Sequence, residues 1–287
     1  MKIKHRDKLT GTLFFLPFFI GFVVFYIAPF IVSFGKSFTF GVGRTKFVGL
    51  SNYTDVLGSE AFQLASYNTA RFIGIGVPLI MLLSTIFALM LQKKFYGSSL
   101  FRSIFLLPLV VPVASTVMVI QIIFADNGII NAALAASGIS VSSWLHSDRA
   151  FAVLVLLYIW KNCGYNMVLV LSGLSAIPND FYEAADSEGA TSFQKFTKIT
   201  LPIMMPTFFF VFVISIVNSF KSFREAFLIG GDRPHKSIYM LQHFMNNNFA
   251  NLNYQRLSVA AFILFFVIFM LVFILFQFRR KAGDVEL

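Results

Sequence analysis

Leu257-Ser258-Val259-Ala260-Ala261-Phe262-Ile263-Leu264-Phe265-Phe266-Val267-Ile268-Phe269-Met270-Leu271-Val272-Phe273-Ile274-Leu275-Phe276-Gln277-Phe278 runs 22 residues without a charge. A hydrocarbon core about 30 Å thick needs roughly 20 apolar residues in a helix, so this stretch reads as a membrane span. Four more runs are uncharged throughout: 9–34, 72–91, 103–125 and 199–220. A sixth, 150–172, carries Lys161 in its middle. Its eleven Phe, Val, Leu and Ile residues each favour insertion by roughly 0.3 to 0.6 kcal/mol, against about 2.5 to 3.5 for a central Lys. The apolar gain wins by a margin that Asn162 and Asn166 narrow, so this span needs neighbours. The expected fold is all-α, a polytopic membrane bundle of six helices forming a single domain over 1–287.

Composition agrees. Hydrophobic residues make up 57% of the 287, charged residues 13%, and Phe occurs 38 times. Average soluble chains are roughly 45–50% apolar and about 25% charged, so a soluble enzyme, a disordered chain and a disulfide scaffold are all excluded. Cys163 is the single cysteine, so no intrachain disulfide forms. The four His are scattered and give no metal-site spacing. A net charge of +10 in so apolar a chain points to loops facing anionic lipid rather than to nucleic acid.

Residues 127–147 are also uncharged but rich in Gly, Ala and Ser and poor in large apolar residues; they read as an extramembrane loop with a short helix rather than a span. Lys2, Lys4, Arg6 and Lys8 precede the first apolar run. That run is too long for a signal peptide and ends in no small-x-small cleavage site, so it reads as a retained span. Six spans place both termini on one side. Segments 1–8, 92–102, 173–198 and 279–287 carry 12 Lys and Arg, against 10 in the longer segments 35–71, 126–149 and 221–256. The denser set, ending at Arg279-Arg280-Lys281, is expected to be cytoplasmic.

Residues 177–199 do not read as a plain connector. Pro178 and Asp180 suit a helix start, with Asp180 as a cap. Asp180, Glu183 and Asp186 lie toward that helix's positive end, and Gly189 suits its C-terminal stop. A second short helix is expected near Thr191–Ser192, with Phe193, Phe196 and Ile199 at helical spacing. Ala184, Ala185 and Gly189 are small enough to let another surface approach the backbone. An amphipathic helix lying on lipid would carry Lys and Arg on its polar face; this one is acidic, which favours a protein partner.

The spacing Glu183-Ala184-Ala185, three residues, Gly189, nine residues, Ile199, one residue, Leu201-Pro202 resembles the EAA loop of ABC-importer permeases. Other stretches are similar to the maltose-transporter-like sugar permeases. They are Phe47-Val48-Gly49-Leu50-Ser51-Asn52-Tyr53, Leu107-Pro108 with Pro112, Asn127-Gly128-Ile129-Ile130-Asn131, and Asn218-Ser219-Phe220 through Gly230-Gly231. One departure is Gly230-Gly231-Asp232-Arg233-Pro234, where that family has Gly-Gly-Pro. The resemblance implies a permease subunit working by alternating access beside a second, related permease subunit. ATPase subunits would dock on the loop 177–199, and an extracytoplasmic solute-binding protein would deliver a sugar. ATP and Mg would belong to the ATPase subunits; this chain has no Gly-x-x-x-x-Gly-Lys-Ser/Thr run. Glu183 is the expected ionic contact to an ATPase arginine, with Ala184, Ala185 and Gly189 permitting close docking. Left to chemistry alone, Glu183 would be a solvated charge complementing the helix dipole.

Tyr158, Lys161, Asn162, Tyr165 and Asn166 recur at three- and four-residue intervals and form one polar face of the fourth span. Ser215, Ser219 and Ser222, with Asn218 adjacent, form a stripe on the fifth. Intramembrane polar residues face a bundle interior or a wet cavity, and these positions resemble the sugar-lining ones of that family. The competing reading is hydrogen bonding between helices. Lys161 has three outcomes open: a carboxylate of the partner chain, snorkelling to an interface, or an acidic sugar, toward which Lys221 and Arg224 also lean. Alternatives to a sugar are a polyol, glycerol phosphate or polyamine on the same architecture. A self-contained secondary carrier is the alternative of another class, though no internal repeat supports it.

Overall fold

The computed structural model describes the backbone of residues 5–41, 45–92 and 96–283; Lys2 and Lys4, expected to mark the cytoplasmic side, lie outside them. The order is α1 (His5–Phe22), α2 (Ala28–Ser37), β1 (Thr39–Phe40), β2 (Lys46–Phe47), α3 (Ser51–Gly58), α4 (Glu60–Gln92), α5 (Ser98–Val110), α6 (Val113–Phe124) and α7 (Ile129–Ala136). It continues with α8 (Ala150–Ser175), α9 (Asp180–Ser187), α10 (Ser192–Lys195), α11 (Leu201–Lys221), α12 (Phe223–Gly230), α13 (Leu241–Ala250) and α14 (Tyr254–Gly283). Among the described residues, six helical stretches are long and apolar enough to cross a membrane. The chain divides into two compact units, Met1–Phe62 with Met245–Ile268, and Gln63–Phe244 with Phe269–Leu287.

In the first unit, α1 and α2 make one apolar rod interrupted by a π turn, Val23–Ile27, closed by the Ala28 N–H on the Val23 carbonyl. Pro29 supplies the reason. It has no N–H to offer the Phe25 carbonyl, and its ring would collide there; a turn widened by one residue relieves both. The rod's rings point outward, with Phe14 82% and Phe25 75% exposed, as a lipid-facing helix requires. A two-residue antiparallel ribbon follows, Thr39 opposite Phe47 and Phe40 opposite Lys46. The buried Asn52 side chain donates to the Ser37 and Thr39 carbonyls, at 2.9 and 2.8 Å, and the Tyr53 hydroxyl meets Ser37 Oγ at 2.9 Å. Gly49 turns the chain into α3 at φ +59°. The 47–53 signature is thus a clamp on the end of the first span. Phe262 of α14 packs at tilted angles against Phe30 and Phe34, and Arg256 pairs with Asp55 at 2.8 Å.

In the second unit, α8 is the most enclosed of the candidate spans. It packs on α5 and α11. Gly164 is why α5 comes so close: a Cβ there would fall 1.8 Å from the Phe105 carbonyl oxygen. The expected third span, 103–125, is two helices. Val111 is extended (φ −67°, ψ 131°) ahead of Pro112, which disfavours a helical residue before it and lacks the N–H to continue α5. The expected span 72–91 lies in α4, which begins twelve residues earlier, at Glu60. Within 127–147 the short helix is α7. Asn131 binds that loop together, donating to the Ala125, Asp126 and Ser142 carbonyls and accepting from Ser142 N–H and Trp144 Nε1. Pro234 closes on Gly230, where a Cβ would lie 2.4 Å from the Pro234 Cβ, so Gly231, Asp232 and Arg233 form a loop between the two.

His243 of α13 is wholly buried. Its Nδ1 accepts the Met240 N–H at 3.1 Å, and its ring meets Phe223 edge-on and stacks on Tyr239. Burial lowers its pKa from the ordinary 6.5 to about 4.

Two predictions follow from this packing. Gly164→Ala, which must part α5 from α8, will cost about 1–3 kcal/mol by overpacking, seen as a lower thermal midpoint in detergent. Gly74→Ala, on an exposed face of α4 with nothing within 4 Å, will be neutral or stabilising. The second concerns pH. His243 is neutral in the fold but binds a proton near 6.5 when unfolded. Its contribution is therefore complete above about 6.5 and is lost as pH falls through about 4. Thermal midpoints measured across that window will fall, and His243→Leu will flatten the slope while lowering the midpoint at neutral pH, because Met240 N–H loses its acceptor.

Candidate functional site

Two sites emerge, a helical hairpin between α8 and α11 and a polar seam inside the bundle. In the hairpin, α9 starts at Asp180. Asn179 holds the cap position without a side-chain bond, so Asp180 is the first helical residue rather than the cap expected for it. It still lies where a carboxylate complements the helix dipole. The Asn179 carbonyl accepts from Tyr182 and Glu183 N–H. At the other end the Ala190 N–H returns to the Ala185 carbonyl and the Gly189 N–H to Asp186, with Gly189 at φ +76°. A Cβ on Gly189 would meet nothing in this chain, so its backbone conformation is what demands glycine. Thr191 and Gln194 form a reciprocal capping box that starts α10. Lys195 crosses to Asp186 at 2.6 Å.

The hairpin joins α11 through a second π turn, Phe196–Thr200, closed by the Leu201 N–H on the Phe196 carbonyl. Pro202 explains it as Pro29 explains the first: it cannot bond the Lys198 carbonyl. The Leu201-Pro202 of the motif therefore has a local structural purpose. Glu183, Ala184 and Gly189 are exposed and Ala185 half-buried; Phe181 and Phe193, at 52% and 75% exposed, present two further rings on the same hairpin.

The seam joins α8, α11 and α12. Tyr158 donates its hydroxyl to the Ser215 carbonyl at 2.7 Å. Asn166 Nδ2 donates to Ser215 Oγ at 2.7 Å, and Ser215 in turn to the Val211 carbonyl. Asn162 bonds within its own helix, to the Tyr158 carbonyl, and Ser219 to the Ile216 carbonyl. Of the residues expected on a substrate path, Tyr158, Asn162, Asn166, Ser215, Ser219 and Ser222 are buried in this chain, while Lys161, Tyr165 and Asn218 stay half-buried. Asn218 accepts from Lys221 at 3.2 Å. Tyr158, Asn166 and Ser215 thus serve as bonds between helices in this conformation.

Lys161 takes none of its three expected outcomes. Its Nζ meets Glu225 Oε1 of the same chain at 2.6 Å, with the two side chains 17% and 6% exposed. The carboxylate that an ammonium at this depth requires comes from α12, whose position is braced by Gln121 of α6 donating to the Leu228 carbonyl. Glu225 lies beyond the uncharged run that marks the fifth span, yet it continues the stripe Ser215, Ser219, Ser222 at the next helical step. Among the described residues, two buried acceptors have no donor: Glu225 Oε2 and Asn166 Oδ1. No group of three or more His, Cys, Asp or Glu able to hold a metal occurs among the described residues.

The fold is that of a polytopic membrane protein with an exposed acidic hairpin between its fourth and fifth spans. Residues 76–279 match the family described as binding-protein-dependent transport system inner membrane component, and the chain belongs to that family. It is 31% identical over 93% of its length to the trehalose/maltose transport system permease protein MalF of Thermococcus litoralis, covering 92% of that protein. It is 33% identical over 78% of its length to the arabinooligosaccharides transport system permease protein AraP of Bacillus subtilis, covering 73%. A solved bacterial ABC transporter involved in the import of the acidic polysaccharide alginate contains a chain of the same fold, with a TM-score of 0.85 over 96% of each chain at 21% identity.

The ion pair gives a direct test. Removing one partner of a buried pair costs about 3–5 kcal/mol, whereas replacing both with apolar groups of similar volume is near neutral. Lys161→Met and Glu225→Leu will each lower the thermal midpoint of the purified subunit, and the double variant will recover most of the loss. A double variant as unstable as the sum of the singles would mean the two charges do not interact.

Proposed function

We propose that this chain is one of two related permease subunits of an importer that moves a neutral sugar or oligosaccharide inward by ATP-driven alternating access. The observation that carries the reading is the hairpin α9–α10. Its backbone is closed by the Gly189 turn, the capping box and the Lys195–Asp186 pair, while Glu183, Ala184 and two phenylalanine rings are left for a partner. ATPase subunits, which bring ATP and Mg, dock there; Glu183 supplies the charge for an arginine, and Ala184, Ala185 and Gly189 keep the approach close. The hairpin and both termini then face the cytoplasm, in keeping with the denser Lys and Arg of the shorter loops. A solute-binding protein delivers from the opposite side, as the family description implies. Membership of a binding-protein-dependent family leaves no reason to retain a self-contained carrier.

The sugar assignment rests on the relatives, which transport trehalose and maltose, arabinooligosaccharides and lactose by name. The choice of a neutral one rests on Lys161. Its charge is answered by Glu225, so the seam does not call for an acid. The two unpartnered acceptors, Asn166 Oδ1 and Glu225 Oε2, suit a solute that brings O–H donors once the seam opens.

The test is Glu183→Arg in the complex purified with its natural partners. The ATPase subunits will be lost and the membrane heterodimer kept. Retention of the ATPase at wild-type level would remove Glu183 from the interface, and failure of even the unmodified chain to bring an ATPase subunit down would remove the importer reading.

A further inference from the structure

We propose that the Tyr182 hydroxyl and Thr200 form the joint that makes the docking hairpin and the foot of α11 move as one body, so that Tyr182 is a positioning residue for the transport cycle. The inference rests on the docking role given above to α9 and α10.

The covalent links alone would let the hairpin pivot. On one side is the short stretch between α8 and α9, and on the other the π turn Phe196–Thr200. A π turn carries one residue more than an α turn, and such turns mark places where helical register can change. The Lys195–Asp186 pair ties α9 to α10 but lies in water, with Asp186 59% exposed, and an exposed pair restrains little. Within the hairpin, the Tyr182 side chain reaches back to the bundle. Its ring packs against the cluster that holds Leu171, Leu174, Ile177 and Met204. Its hydroxyl lies 2.9 Å from Thr200 Oγ1, and Thr200 is buried. Thr200 Oγ1 donates to the Lys195 carbonyl across the π turn, at 3.4 Å, so its lone pair is left for the Tyr182 proton. The run from Tyr182 to Thr200 to Lys195 to Asp186 closes a ring through α9, α10 and the π turn, whose last residue, Thr200, adjoins Leu201 of α11. With the tyrosine bond in place, a force on α9 reaches α11 directly. Without it, the force is spent pivoting the hairpin about the π turn.

The experiment uses the whole complex in nanodiscs, with Cys163→Ala and spin labels at Glu188→Cys and Met205→Cys. Glu188 is exposed beside the hairpin turn and Met205 is exposed on α11. Label distances are measured without nucleotide and with Mg-ATP and vanadate. With Tyr182 present the distribution stays narrow and unchanged by nucleotide. Tyr182→Phe keeps the packed ring but loses the bond, and will raise the displaced population roughly two- to tenfold, with ATPase subunits still bound. Thr200→Val will do the same, and Thr200→Ser will restore the narrow distribution. A narrow, nucleotide-independent distribution in Tyr182→Phe with the ATPase bound overturns the joint alone. Absence of bound ATPase from the unmodified complex overturns the docking reading and the joint with it.

Discussion

Hydrocarbon offers a polar group nothing to bond to, and each group left unpaired there costs several kcal/mol. In this chain that constraint decides where side chains as well as backbone must go. Lys161 is placed at membrane depth by a span rich in Leu and Val, and α12 has to deliver Glu225 to it. The turn at Ser222 that separates α12 from α11, the packing of α12 on α6 and the Gln121 brace on Leu228 all serve that delivery. Tyr158 and Asn166 meet Ser215 for the same reason.

Proline and glycine set the geometry that these bonds require. Pro29 and Pro202 each follow a π turn by two residues, and Pro112 divides α5 from α6. Since a proline in a helix removes a donor and crowds a carbonyl, each site needs a local remedy: a widened turn in two cases, an extended residue in the third. Gly164 and Gly173 do the opposite service, admitting the Phe105 backbone and the Thr207 side chain to distances that a Cβ would forbid. Helices in lipid associate through close packing and interhelical bonds, and α8 uses both.

The sequence made the spans legible because length and absence of charge are one-dimensional quantities, and it made the hairpin legible because Glu183, Ala184, Ala185 and Gly189 keep a local spacing. The seam was half legible. The periodicity of Tyr158, Asn162 and Asn166 correctly marked a polar face, but periodicity says which residues share a face and nothing about what faces them. Glu225 lies 64 residues from Lys161, and only the path of α12 brings them together. The break at Pro112 was visible as a proline, but a charge count across 103–125 does not register it. Gly189 was legible as the stop of its helix, and its positive φ is the conformation such a stop takes.

Seam and hairpin meet on α11. Its foot begins at the π turn held by Thr200 and Tyr182, and four turns along it Ser215 bonds Tyr158 and Asn166. Ser215 receives from both with different atoms, its carbonyl and its hydroxyl. A shift of α11 along its axis by one turn, about 5.4 Å, would break both bonds at once. Smaller motions would be resisted by both. Each bond is worth about 1 kcal/mol in exchange for water, so the resistance is of the size that differential binding by a partner can overcome. The bonds that hold α8 to α11 are thus strong enough to define one arrangement and weak enough to be exchanged for another.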